Sequence, residues 1–227
     1  MENQHKNPLQ KYFRQPKIFI SLPSQGIYNK QGAITGDVTK LPVYGMTGMD
    51  EIIIKTPDAL LNGESTVKVI QSCIPNIKNA WAMPSIDVDA LLIAIRIASY
   101  GKTMSISARC PKCNEEHDYD VDLGPVSESI GCPDYNEIVS YTDLKIKLRP
   151  QPYLNVSRSN VTNFEQERIM QSLQDESLTE EMRNLRVKES IKKIMDLNDL
   201  LLVDATEYIE TEDGTRVTDK EFLREFY

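Results

Sequence analysis

The sequence predicts an α+β fold: a small mixed N-terminal and central domain around a buried helix, carrying a zinc-ribbon-like Cys-x-x-Cys β-hairpin, followed by a mainly helical C-terminal part. Three observations predict it. From Ser85 or Asp87 to Tyr100 the chain is apolar on nearly every side of a helix, with Arg96 its only basic residue. After Gly101 the apolar residues recur every second position on both sides of Cys110-Pro111-Lys112-Cys113. Beyond Tyr153, spacings of three and four return, as an amphipathic helix requires.

Residues 1–16 are polar, rich in Gln, Asn and Lys, and closed by Pro16; they read as a flexible arm that orders only on a partner, having little apolar surface to bury. Ile18, Ile20 and Leu22 then alternate with Lys17, Phe19 and Ser21, a short strand that Pro23 and Gly26 end. The glycine-rich stretch 32–49 fits a second strand and turns. Thr56-Pro57-Asp58 supplies a capping hydroxyl, a proline preset for a first turn and a carboxylate at the positive helix end, so a short helix is expected from there to Asn62-Gly63. Ser65 or Thr66 caps a second helix, containing Val67, Val69, Ile70 and Cys73, that stops before Pro75. The central helix follows, too short for a bilayer and closed by a glycine C-cap at Gly101.

Met104, Ile106 and Ala108 alternate with Thr103, Ser105 and Ser107, and Tyr119, Val121 and Leu123 with Asp118, Asp120 and Asp122: a hairpin with a cysteine knuckle at its tip. Residues 124–134 read as a loop, and Leu144, Ile146 and Leu148 as a half-buried strand. Pro150 and Pro152 mark a boundary, giving an arm over 1–16, an α+β core domain over 17–150 and a helical region over 151–227. Helices are expected at about 161–174, 179–195 and 199–208, a turn at Asp213-Gly214, and a last helix opened by the capping pair Thr218 and Glu221. Phe222, Phe226 and Tyr227 crowd the final six residues, too apolar a group to hang in water, and are candidate partner-binding residues.

The chain has 34 acidic and 26 basic residues, a net charge of -8, with no basic cluster, so nucleic acid is not an expected partner. Its start lacks the apolar region of a signal peptide, and no stretch approaches the roughly 20 apolar residues of a membrane span. The expectation is a soluble protein made in the cytosol, where a reducing environment disfavours structural disulfides and leaves thiols free or metal-bound.

Two cysteines two residues apart on a turn between strands can present both sulfurs to one Zn²⁺. Cys132 follows Cys113 at about ribbon spacing, but no fourth cysteine accompanies it; Cys73 completes the set with Cys110, Cys113 and Cys132, or His117 does. A structural zinc and a turn with unliganded or reversibly oxidised thiols both fit the pattern. A thioredoxin-like reading fits less well, because the flanks are strands and no helix begins at the first cysteine. Phosphate-loop, dinucleotide, metalloprotease and nucleophile-elbow motifs are absent, and two histidines leave little for a triad, so the chain reads as no enzyme. Asp118, Asp120 and Asp122 share one strand face and read as solvated surface before they read as a site. Arg96 is expected in a structural salt bridge, and Trp81 either anchors an interface or packs under its own loop.

An ordered set of motifs resembles a known family. It comprises Leu22-Pro23-Ser24-x-Gly26-x-Tyr28, Lys55-Thr56-Pro57-Asp58-Ala59-Leu60-Leu61-Asn62-Gly63, Ile70-Gln71-Ser72-Cys73-Ile74-Pro75, Asp89-x-Leu91-Leu92-x-x-x-Arg96-x-x-x-Tyr100-Gly101, Cys110-Pro111-x-Cys113 and Asp122-Leu123. The set resembles the T-even-like phage baseplate hub proteins over about residues 18–123; after Pro150 only the helical character matches. The resemblance implies a virion-assembly role, made in the host cell cytoplasm and acting in the tail baseplate with other hub proteins or the tape-measure protein, as a hub subunit or as a transient assembly chaperone. It leaves an oligomer open. A zinc-dependent nucleic-acid-binding module is the competing reading from another class, and the charge of -8 opposes it.

Overall fold

The computed structural model describes residues 13–56, 63–172 and 179–227. The helix expected after Thr56, and all but residues 13–16 of the expected arm, lie outside the described residues.

The architecture is mixed α and β, with small antiparallel sheets and seven helices among the described residues. Strands β1 (Ile18–Ile20) and β2 (Leu41–Val43) pair antiparallel, Ile18 opposite Val43 and Ile20 opposite Leu41. Helix α1 (Gly48–Ile54) was not foreseen. Its signal was present as a capping box: Thr47 Oγ1 accepts from the Asp50 N–H at 3.3 Å while the Thr47 N–H donates to Asp50 Oδ2 at 2.8 Å.

Helix α2 (Glu64–Cys73) begins two residues earlier than a Ser65 cap would place it, because Gly63 serves as N-cap at φ 76°, a left-handed conformation that favours glycine. A Cβ there would stand 2.5 Å from Ser157 Oγ, so Gly63 also lets this helix approach the C-terminal half of the chain closely. Helix α3 (Ser85–Tyr100) is the expected central helix, closed by Gly101 at φ 89°. Val67, Val69, Ile70 and Cys73 of α2 meet Val88, Leu91, Ala94 and Ile95 of α3 in one core with Leu22, Leu41, Val43, Ile74, Ile77 and Met83. Burying each large aliphatic side chain stabilises the fold by roughly 1.5–3 kcal/mol before chain entropy is counted.

Strands β3 (Thr103–Arg109) and β4 (Glu116–Asp122) form the expected hairpin, in register from Thr103 opposite Asp122 to Arg109 opposite Glu116. The following segment is not a loop throughout. Asp122 accepts from the Gly124 N–H at 2.8 Å and caps a short helix, α4 (Leu123–Ser129), with Leu123 turned into the protein.

A third sheet has the order β5-β6-β7-β8, all antiparallel, from β5 (Ile138–Tyr141), β6 (Leu144–Leu148), β7 (Thr206–Glu210) and β8 (Arg216–Val217). It joins strands from both sides of Pro150, and the part after Pro150 is therefore not helical throughout. Residues 206–208, expected at the end of a helix, lie instead in β7, because Thr206, Tyr208 and Ile209 find their partners in Leu148, Lys147 and Ile146 of β6. Inserted between β6 and β7 are α5 (Tyr153–Ser172) and α6 (Glu180–Ala205), the latter a single helix where two were expected, capped by Thr179. Helix α7 (Lys220–Phe226), capped by Asp219, packs Leu223 with Val203 and Ile209 in a second, smaller core.

Candidate functional site

Helix α6 carries a row of exposed apolar side chains. On α6, Val187, Ser190, Ile194 and Leu201 point toward the protein, whereas Ile191, Met195 and Leu202 are exposed. Spacings of four and seven put those three on one side of the helix. At its 26 residues, α6 spans about 39 Å at the usual helical rise. The seam toward α5 is polar, with Ser159, Gln166 and Ser190 buried, so this pair holds few of the apolar contacts that stabilise the first core.

At the chain's end the three aromatic residues part company. Tyr227 packs on the second core and its hydroxyl shares a 2.8 Å hydrogen bond with Thr206 Oγ1, while its ring meets Phe226 edge to face at 5.2 Å. Phe222 is 63% exposed and Phe226 46%. Only these two face outward.

The four cysteines occupy three places. Cys73 is fully buried in the first core and accepts from Arg14 Nη2 at 3.4 Å; burial pushes its thiol up, against the opposing effect of Arg14. The same guanidinium donates to the carbonyls of Ser72 and Gly45 and pairs with Asp50 at 3.7 Å. Cys132 lies beside Tyr28 and Tyr135, whose rings meet edge to face at 5.4 Å. Its thiol is also pushed up, first by burial and then by the nearby carboxylates of Asp87 and Asp134.

Cys110 and Cys113 stand together at the hairpin tip. The turn is closed by the Asn114 N–H donating to the Cys110 carbonyl and the Cys110 N–H donating to the Glu115 carbonyl, each at 2.8 Å, with Asn114 at φ 60°. Backbone N–H groups of Cys113 and then Lys112 aim at the Cys110 sulfur, with the Cys113 thiol beside it, and hold the Cys110 thiol below its usual range. One sulfur and two other donors converge here: Cys113 Sγ, a Glu115 carboxylate oxygen and a His117 ring nitrogen all lie within 4.8 Å of one another. Cys73, Cys110 and Cys132 lie outside that group, with the Cys110 sulfur beside the Cys113 thiol.

Arg96 leaves the core at the base of the hairpin. It donates to the carbonyls of Gly101 and Thr103 at 3.2 and 3.3 Å and lies over the Tyr100 ring at 4.8 Å, and among the described residues no carboxylate lies within ion-pair distance of it. Carbonyls at the helix end thus take the role expected of a salt bridge. The carboxylates of Asp118 and Asp120 accept from Ser107 and Ser105 across the strands, at 2.5 and 2.6 Å, on an exposed face.

Trp81 is half-buried and stacks on Tyr153, ring centroids 5.7 Å apart. Around that pair the two halves meet: the Tyr153 N–H donates to the Met83 carbonyl at 2.8 Å and the Ser85 N–H to the Gln151 carbonyl at 3.0 Å. A cavity of about 740 Å³ opens beside them, lined in part by Lys30, Arg149, Arg158, Asp204 and Lys220. Asp204 pairs with Lys220 and accepts from Asn155 at 3.0 Å, so its charge is already balanced within the chain.

Among proteins of known family, the model described as T4 bacteriophage base plate protein matches residues 46–227. That span begins three residues after β2 and runs to residue 227, and so takes in α6 and α7 as well as the hairpin. No curated protein matches the chain, and no solved structure does.

Proposed function

We propose a function from one premise: this chain belongs to the T4 bacteriophage base plate protein family. It serves as a structural subunit of the central hub of a phage tail baseplate, made in the host cytoplasm and retained in the virion. It works by holding neighbouring hub subunits or the tape-measure protein and not by turnover.

The observation that carries this reading is the stripe of Ile191, Met195 and Leu202 on α6, with Phe222 and Phe226 on α7. Single exposed apolar side chains are ordinary, but a row of them along one side of a long helix is surface that a partner covers. The polar seam between α5 and α6 adds to the case, since a pair with so thin an apolar seam gains stability when a neighbour packs against it. No helix among the described residues is long and apolar enough to cross a membrane, so the stripe is not one face of a span.

Mass spectrometry of purified virions and of hub intermediates from infected cells tests the proposal. Retention in complete particles at a fixed ratio to the other hub proteins is expected. Presence in intermediates with loss from complete particles would replace the subunit reading by that of a transient assembly chaperone.

A further inference from the structure

We propose that the tip of the β3–β4 hairpin is a structural Zn²⁺ site formed by Cys110, Cys113, Glu115 and His117. This set differs from one that includes Cys73 and Cys132, which the fold holds elsewhere.

Three of the four already converge, Cys113 Sγ, a Glu115 carboxylate oxygen and a His117 ring nitrogen within 4.8 Å of one another, and the Cys110 sulfur stands beside the Cys113 thiol. Ala108 pairs with His117 and the Cys110 N–H donates to the Glu115 carbonyl, so the backbone of Cys110 lies opposite that of Glu115 at the tip. Cys113 enters from the turn that the Asn114-to-Cys110 hydrogen bond closes. Glu115 Oε2 lies 3.8 Å from Cys113 Sγ and 3.9 Å from His117 Nε2. In a tetrahedral zinc site with ordinary metal–sulfur and metal–oxygen or nitrogen lengths, neighbouring donors stand about 3.3–3.8 Å apart. The two distances from Glu115 therefore need to close by roughly half an ångström. N–H groups of Lys112 and Cys113 directed at the Cys110 sulfur complete the arrangement that a thiolate ligand needs around it.

A second observation gives the site a purpose. Twelve of the fourteen strand residues of the hairpin are exposed, and among the described residues its strands pair only with each other. A two-stranded sheet without a third strand or a covering helix is marginal in water. A metal clamp at the tip, with Arg96 fixing the base, holds both ends. On binding, the two thiols release their protons to solvent, His117 coordinates as the neutral imidazole, and two thiolates and one carboxylate leave the loaded site with a charge of about -1.

Metal content of the purified full chain, prepared under reducing conditions, is the test, with cobalt titration as the spectroscopic reading. One zinc per chain is expected, and cobalt should give tetrahedral visible bands with thiolate charge transfer. Cys113→Ser and His117→Gln should lose both signals, while Cys132→Ser keeps them. Removing the metal by chelation should speed amide exchange across residues 103–122 and leave α2 and α3 protected, a reading that does not depend on any variant folding. The site is overturned if the wild-type chain shows no thiolate–cobalt band, if Cys132→Ser abolishes it, if Cys113→Ser and His117→Gln both retain it, or if chelation leaves exchange in the hairpin unchanged.

Discussion

Ser24 grips the buried carboxylate of Asp87 with two hydrogen bonds, its backbone N–H donating to Oδ1 at 2.9 Å and its hydroxyl to Oδ2 at 2.5 Å. Asp87 sits in the first turn of α3, where the helix dipole favours a negative charge, and Asn29 adds a weaker donor at 3.5 Å. The loop that follows Leu22 is thereby tied to the central helix across the whole N-terminal core. Replacing Ser24 by Ala removes the hydroxyl donor from a group with no access to water, and a loss of about 1–3 kcal/mol is expected in urea unfolding.

Asp87 and Asp50 should pull the pH dependence of stability in opposite directions. Burial pushes Asp87 above the ordinary 3.8, against its hydrogen bonds, so the folded state holds that proton more tightly than the unfolded one. Its contribution falls as pH rises from 3.8 through the raised value. Burial also acts to raise Asp50, but hydrogen bonds from Thr47 and Ser72 and the charge of Arg14 outweigh it and hold Asp50 below 3.8. The stabilisation from Asp50 is complete above that range and is lost as pH falls through the lowered value. In urea unfolding over about pH 3–7, Asp50→Asn should flatten the acid-side loss, and Asp87→Asn should remove the component that declines with rising pH. Profiles parallel to wild type would contradict both assignments.

Leu91 and Met195 are both large apolar helix residues in opposite settings. Leu91 is fully buried and Met195 is 61% exposed. Leu91→Ala should cost about 2–5 kcal/mol, as a cavity in a packed core does, and Met195→Ala less than about 0.5 kcal/mol.

Ile191→Ser combined with Met195→Ser should leave the urea midpoint of the isolated chain nearly unchanged and prevent its recovery in purified particles. Normal recovery would separate the α6 stripe from assembly.

Gly63→Ala meets two penalties, a left-handed φ of 76° and a Cβ 2.5 Å from Ser157 Oγ. A loss above about 1 kcal/mol is expected. Paired with Ser157→Ala, the change should cost less than the sum of the two single substitutions, because part of the clash is with that hydroxyl.

Local sequence marked the elements whose partners lie nearby. The central helix ends at Gly101 as its apolar run and glycine cap required, the hairpin pairs its alternating segments about the cysteine turn, and Asp213-Gly214 turns with Gly214 at φ 83°. Helix α1 was equally legible in the capping pair Thr47 and Asp50, although Gly45 and Gly48 beside it weaken the helical pattern. Strand β7 was not legible. Its residues continue the spacing of α6, and only pairing with β6 decides that Thr206 begins a strand.

The same division separates the cysteines. By itself the sequence determined that two thiols share one turn between strands, since a two-residue spacing and the period of the flanks are local properties. Where the other two cysteines lie was decided by tertiary structure alone: packing draws Cys73 into the core under Arg14 and leaves Cys132 beside Tyr28 and Tyr135, whereas Glu115 and His117 reach Cys113 through the local course of the hairpin. Proximity between residues far apart along a chain follows from how the apolar faces of whole elements are buried together, and no short motif encodes that arrangement.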